Sequence, residues 1–199
     1  MTRGTPVLAR SANGDTNKLS PADRPAHDWY RFVLSFPPHL VRDYLRRFGI
    51  GPQHVVLDPF CGTGTTIVEC MTLGIPSIGV EAHPMASLAS QVKSDWSPDP
   101  DGLLKHARAV AELAKAKLES DGIEDDAPLP LFSRARRPHR DQNQVLRKLP
   151  PEKQKLLLTN SISPLPLHKT LVLLDCLNEH RDTRYHNHER LAQRAGPSP

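Results

Sequence analysis

The chain has 199 residues, 38% of them hydrophobic and 5% aromatic, with 20 prolines and a mean hydropathy of -0.47; this suits one domain of ordinary size with part of the chain unpacked. A formal net charge of +4 is compatible with nucleic-acid contact but too small a bias to argue for it alone. No run approaches the roughly 20 apolar residues of a membrane helix and the polar start has no signal-peptide core; Cys61, Cys70 and Cys176 form no CxxC pair, which argues against a disulfide framework or zinc site and for a reduced, cytoplasmic setting.

Residues 1–25 are rich in Gly, Ser, Asn, Asp and Pro without periodicity and read as a flexible lead-in. Packing is expected to begin near His27. After Pro37 and Pro38 the apolar positions Leu40, Val41, Tyr44, Leu45 and Phe48 fall at helical spacing, and Gly49 is the stop signal. "HVVLDPF" is a short β-branched run of the kind that forms a buried parallel strand. The turn "CGTG" follows it, then "TTIVECMT" as a helix ending before Gly74, then Ser77 to Val80 as a second buried strand closed by Glu81. Strand, turn, helix, strand is a βαβ unit. From Leu103 to Leu118, Leu104, Ala107, Ala111, Ala114 and Leu118 share one face, so this stretch is expected to be a helix against the sheet. Residues 121–151, first acidic, then basic and proline-rich, read as a charged linker. "LHKTLVLLDCLNEH" reads as a helix, although its apolar run could also form a strand, and the final "RLAQRAGPSP" offers no clear core face.

The turn carries the chemistry. Gly62 and Gly64 let the backbone pass close to a ligand, and the helix that follows presents free amides. Asp58 ends the first strand, and Glu81 ends the second, 19 residues beyond Gly62 (81 − 62), where an acid can accept from ribose hydroxyls. Together they describe an adenosine site. The turn lacks the lysine of GxxxxGK[ST], so a triphosphate is poorly supported. It also misses GxGxxG, with Ile67 where the third glycine would stand, so a dinucleotide is the second choice. An acid facing the turn would repel a pyrophosphate but suits the sulfonium of S-adenosylmethionine.

"LDPFCGTGTT" resembles the methyl-donor motif of the DNA methyltransferases that modify the amino group of adenine or cytosine. "FPPHLV" is similar to that family's segment ahead of the motif, and "IGVEAHP" to its acidic ribose-binding strand end. The resemblance covers about residues 28–93. It implies an α/β class I methyltransferase (Rossmann-like) fold with an incomplete doubly wound parallel sheet, S-adenosylmethionine as cofactor and DNA as partner. It also implies that Asp58, Phe60, Gly62, Thr63, Gly64 and Thr65 line the donor site, that Thr65 and Thr66 cap the helix, and that Glu81 holds the ribose. Phe36 and Pro37 would form the opposite wall. The domain organisation that follows is a flexible segment (1–25), a donor-binding α/β region (26–120), the linker (121–151) and a helical C-terminal segment (152–199).

The family's acceptor motif, (Asp/Asn/Ser)-Pro-Pro-(Tyr/Phe), binds the poorly nucleophilic amine and stacks on a flipped base. The Pro-Pro pairs here are "FPPH" and "LPPE", and neither supplies the acceptor or the aromatic, so no catalytic residue is assigned. The chain reads as cut short; truncation, a split gene or a second chain carrying the catalytic half would each account for this. A noncatalytic donor-binding module and an RNA or small-molecule methyltransferase are the alternatives. Arg134, Arg136, Arg137 and Arg140 are candidate phosphate contacts, with a solvated linker as the blander reading. No metal site is assigned. Trp29 and Tyr30 read as core or donor-site packing rather than a platform for a base.

Overall fold

The computed structural model describes residues 19–30, 35–123, 146–155 and 162–195. Two compact units are present, one running to Ser97 and including Leu191, the other Pro98–Arg190.

The first unit opens with a 3-10 turn, Pro21–Asp23, and α1, Arg24–His27. These helical turns fall at the edge of the stretch expected to be flexible, and they are held by ion pairs to later elements that local composition does not reveal. Helix α2, Pro38–Arg47, begins as the sequence indicates, with Pro37 at the N-cap and Pro38 at the first helical position. Strand β1, Val56–Asp58, leads through the glycine turn into α3, Thr65–Thr72, and on to β2, Ser77–Gly79; α4, Pro84–Lys93, follows.

The strands pair in parallel with Val56 opposite Ser77, Leu57 opposite Ile78 and Asp58 opposite Gly79. The ladder runs on through Val80 N to Asp58 O (2.9 Å) and Cys61 N to Val80 O (3.0 Å). This is an α/β arrangement with a parallel sheet, as read from the strand, turn, helix, strand order.

Both α2 and α3 end in the same device. Ile50 N bonds to Leu45 O and Gly49 N to Arg46 O; Ile75 N bonds to Cys70 O and Gly74 N to Met71 O. Each is a Schellman motif, which a left-handed glycine closes. The residue after each glycine then folds back into the core. Ile75 joins Val41, Leu45 and Cys70 in one buried cluster, with Ile50 and Val56 packed against it.

Among the described residues, helices cover only one face of the sheet. The strands were expected to be buried, and this is corrected: Val55, Leu57, Ile78 and Val80 are 65%, 61%, 55% and 53% exposed. Paired residues of parallel strands point to the same side, so these four form one apolar face. The opposite face, through Val56, packs on α2 and α3. A single layer of helices cannot bury both sides of a strand, whatever its composition.

In the second unit, α5, Pro100–Ser120, begins with Asp99 Oδ2 accepting from Gly102 N at 2.7 Å. A one-turn helix α6, Pro151–Gln154, precedes α7, Pro164–Glu179, so the ambiguous apolar run is helical. The expectation that the 103–118 helix packs on the sheet is also corrected. Its buried residues are Val110, Ala114 and Leu118, and they meet Val172, Cys176 and Leu177 of α7; Leu104 is 49% exposed. The periodicity predicted a helix, but its i, i+4, i+8 stripe is rotated from the expected one because the partner is another helix. Helix α8 runs His186–Ala195. The terminal stretch has a core residue after all, since Leu191 is buried with Ala89 and Val92 in the first unit. No helix among the described residues is long and apolar enough to cross a membrane.

Candidate functional site

The turn between β1 and α3 is held from both ends. Asp58 Oδ1 accepts from Phe60 N at 3.1 Å, and Cys61 O accepts from Gly64 N at 2.8 Å. Gly62 and Gly64 have φ of +54° and +86°, a region in which a side chain costs about 1–2 kcal/mol. Their surroundings differ. A Cβ on Gly62 would meet nothing within 4 Å, whereas one on Gly64 would lie 2.5 Å from Ser90 Oγ and 2.9 Å from Ser90 Cα. Gly64 is therefore needed for the close approach of α4, and Gly62 faces open space where a ligand can reach the backbone.

Glu81 joins the two strand ends. Its Oε2 accepts from Gly62 N at 2.9 Å, and its Oε1 accepts from His83 N at 2.7 Å. Each oxygen keeps a further lone pair for a hydroxyl donor. One carboxylate thus shapes the turn and points acceptors into the same place. His83 Nδ1 accepts from Ala86 N at 3.3 Å, capping α4.

Thr65 and Thr66 do not cap α3. They are its first two residues, and the N-cap is Gly64, which has no side chain to offer. The first amides of α3 are left to solvent or a ligand, and a helix N-terminus favours a negative group there. Thr63 and Thr65 are 5% and 6% exposed, so they pack beneath the turn, while Phe60 is 87% exposed. The structure thus brings Asp58, Phe60, Gly62, Gly64, Thr65 and Glu81 to one end of the sheet. Phe36, 47% exposed, and buried Pro37 stand at the start of α2. Arg134, Arg136, Arg137 and Arg140 lie outside the described residues.

Cys61 sits within the turn, with its sulfur 3.7 Å from Ser90 Oγ and 2.8 Å from where a Cβ on Gly79 would be. Burial first, and then the charges of Asp58 and Glu81, push its thiol pKa up. It is a protonated packing residue at neutral pH.

Two features escaped the sequence reading. Ser90 gave no sign, and the helix that carries it was not among the predicted elements, yet it sets how closely α4 approaches Gly64. Glu69, on the second turn of α3, is 3% exposed. Its Oε1 bonds to His27 Nε2 (2.7 Å) and its Oε2 accepts from Arg42 Nη1 (2.7 Å). Arg42 also forms a bidentate pair with Asp23 at 2.9 and 3.0 Å. The hydrogen bond to Asp23, more than that to Glu69, raises the guanidinium pKa against the opposing effect of burial. The one charged residue in α3 was the available signal, and its partners lie 27 and 42 positions away in sequence.

Comparison with known proteins bears on this geometry. Residues 10–91 match the family N6_N4_Mtase, DNA methylase. The chain is 38% identical over 94 residues to the type II methyltransferase M.BsoBI of Geobacillus stearothermophilus, a match covering 47% of this chain and 18% of that protein. It is 41% identical over 68 residues to the type II methyltransferase M.MjaII of Methanocaldococcus jannaschii, covering 34% and 12%. It is 27% identical over 70 residues to the type II methyltransferase M.AvaI of Nostoc sp., covering 35% and 14%. The matched region is thus less than a fifth of each of these relatives. No solved structure matches the chain.

Proposed function

We propose, from the match of residues 10–91 to the DNA methylase family, that the chain is the donor-binding portion of an S-adenosylmethionine-dependent DNA methyltransferase of class I fold, acting on an adenine or cytosine amino group. The observation that carries this reading is Glu81, which braces the amide of Gly62 and the amide of His83 while keeping acceptor capacity toward the turn. An acid so placed suits ribose hydroxyls. Asp58 at the end of β1 favours a positive group, and the uncapped start of α3 favours a carboxylate. Between them they fit the zwitterionic, sulfonium-bearing end of the donor, and the open space over Gly62 leaves room for it.

When bound, S-adenosylmethionine supplies an electrophilic methyl group, which the target amine takes with loss of one proton, leaving S-adenosylhomocysteine. The described residues orient the donor, and no (Asp/Asn/Ser)-Pro-Pro-(Tyr/Phe) segment lies among them to accept from the amine. Weak, saturable donor binding by calorimetry is therefore expected, with no label entering mixed-sequence DNA from labelled donor. Glu81→Ala is expected to weaken binding at least about tenfold, since hydrogen bonds to a charged acceptor contribute about 1.5–3 kcal/mol. Equal affinity in the variant, with its urea midpoint showing a folded chain, would refute the ribose role.

A second segment carrying the acceptor motif is the companion proposal. It is favoured by the uncovered apolar face of Val55, Leu57, Ile78 and Val80, which a second layer of helices packed on the sheet would bury. Mixing this chain with the remaining part of a type II relative is expected to give methyl transfer that neither piece shows alone. Leu57→Asp should abolish it; transfer unaffected by that change would mean the face is not the contact.

A further inference from the structure

Two amides hold Glu81, and the second belongs to a residue whose side chain has a separate task. His83 is the N-cap of α4, and its Nδ1 accepts from Ala86 N at 3.3 Å. One residue thus fixes the start of a helix through its ring and an oxygen of Glu81 through its backbone. We propose that His83 is a positioning residue that sets the hold of Glu81 on the glycine turn, and that it does so only as the neutral imidazole. Resting on the donor reading above, the consequence is that donor affinity falls as His83 is protonated.

The chemistry of the cap sets this condition. Pro84, at the first helical position, has no N–H to satisfy, and Ser87 N already donates to His83 O at 2.9 Å. Ala86 N is the first-turn amide that the His83 side chain takes up. A neutral imidazole has one nitrogen able to accept; here it is Nδ1, so the proton sits on Nε2. An imidazolium donates from both nitrogens and accepts at neither, so protonation sets two N–H groups against each other and opens the cap. The His83 backbone, at φ −80° and ψ 117°, is then no longer fixed, and its N–H no longer holds Glu81 Oε1 in place. The same carboxylate accepts from Gly62 N through Oε2, so the disturbance reaches the turn. The other titratable groups at this end of the sheet are Asp58, which accepts from Phe60 N, Cys61, whose thiol burial keeps protonated, and Glu81 itself; the first turn of α4 carries no acid. A cap that cannot titrate leaves all of these in place.

Asparagine supplies such a cap, because its amide oxygen accepts from the same position and does not titrate. Calorimetric titration of the whole chain with S-adenosylmethionine, from about pH 7.5 to about pH 5.5 across the ordinary histidine range, is expected to show affinity falling about fivefold, the size of one cap. His83→Ala should bind more weakly by about that factor already at the upper pH, and His83→Asn should recover most of the loss and keep it at the lower pH. Any pH dependence arising from Asp58 or Glu81 persists in His83→Asn, so parallel profiles for that variant and the parent chain would overturn the proposal. Undiminished binding by His83→Ala would do the same, and the comparison of parent with His83→Asn stands even if the alanine variant fails to fold. Absence of donor binding by the parent at every pH would refute the donor reading instead. The amide resonance of Gly62, which its bond to Glu81 displaces, then decides on His83 without donor: it is expected to move over the same pH range in the parent and to stay in place in His83→Asn. Identical movement in both, or none in the parent, would overturn the proposal.

Discussion

Gly64→Ala is expected to destabilise the chain by about 2–5 kcal/mol, the sum of left-handed backbone strain and overpacking. At φ +86° an added methyl would lie 2.5 Å from Ser90 Oγ and 2.9 Å from Ser90 Cα. The side chain of Ser90 can rotate away, but its Cα belongs to α4 and cannot move without the helix. Gly62→Ala is the internal control. It has the same kind of strain, with φ +54°, but nothing within 4 Å of the new methyl, so a loss of about 1–2 kcal/mol is expected. Urea unfolding of the two variants separates these effects. The two should also differ in donor binding: Gly62→Ala places its methyl in the space assigned to the ligand and should weaken affinity in a chain that stays folded. If Gly64→Ala proves no more damaging than Gly62→Ala, the close approach of α4 to the turn is wrong.

The second large effect is expected at Glu69. Removing one partner of a buried ion pair costs about 3–5 kcal/mol because the other charge is left without compensation. Here Arg42 would keep Asp23 and its side chain is 26% exposed, so Glu69→Ala should cost somewhat less, about 2–4 kcal/mol. His27, 5% exposed, would lose its carboxylate. Asp23→Ala, which leaves the Glu69 contacts in place, should cost about half as much. The consequence for dynamics is specific. Residues 21–27 are held through Asp23 and His27, so limited proteolysis of Glu69→Ala should cut near α1 at a denaturant concentration where the parent chain resists. Equal stability of Glu69→Ala and Asp23→Ala would show that the buried carboxylate is not the anchor.

The parts of the structure differ in how legible they were. The glycine turn could be read because its signals are local: a β-branched run, two glycines, a helix and a second strand lie within 27 residues (81 − 55 + 1) from Val55 to Glu81. Each carries its own backbone requirement, and turn chemistry is nearly independent of what packs elsewhere. The link from Glu81 to Gly62 could be anticipated because the βαβ crossover returns the second strand beside the first. The capping role of Thr65 and Thr66 could not, since helix boundaries shift by a residue or two, and that shift exchanged a threonine cap for Gly64.

Burial was less legible. The same apolar pattern in "HVVLDPF" suits a strand covered on both sides or on one, and only the placement of α2 and α3 shows that Val56 is covered and Leu57 is not. In the same way, the helical period of α5 was clear, but the side it buries depends on α7, more than 40 residues later. Trp29 and Trp96 both line one cavity beside α3, yet they are 67 positions apart (96 − 29), and nothing in either neighbourhood relates them.

By itself, then, the sequence determined the strand, glycine turn, helix and strand order and the two acids beside the turn, because these follow from short-range backbone and charge requirements. Only the tertiary structure decided which apolar faces are covered, which acid is buried in an ion network and that both tryptophans share one cavity. Those depend on which distant segments meet, and no local pattern encodes that.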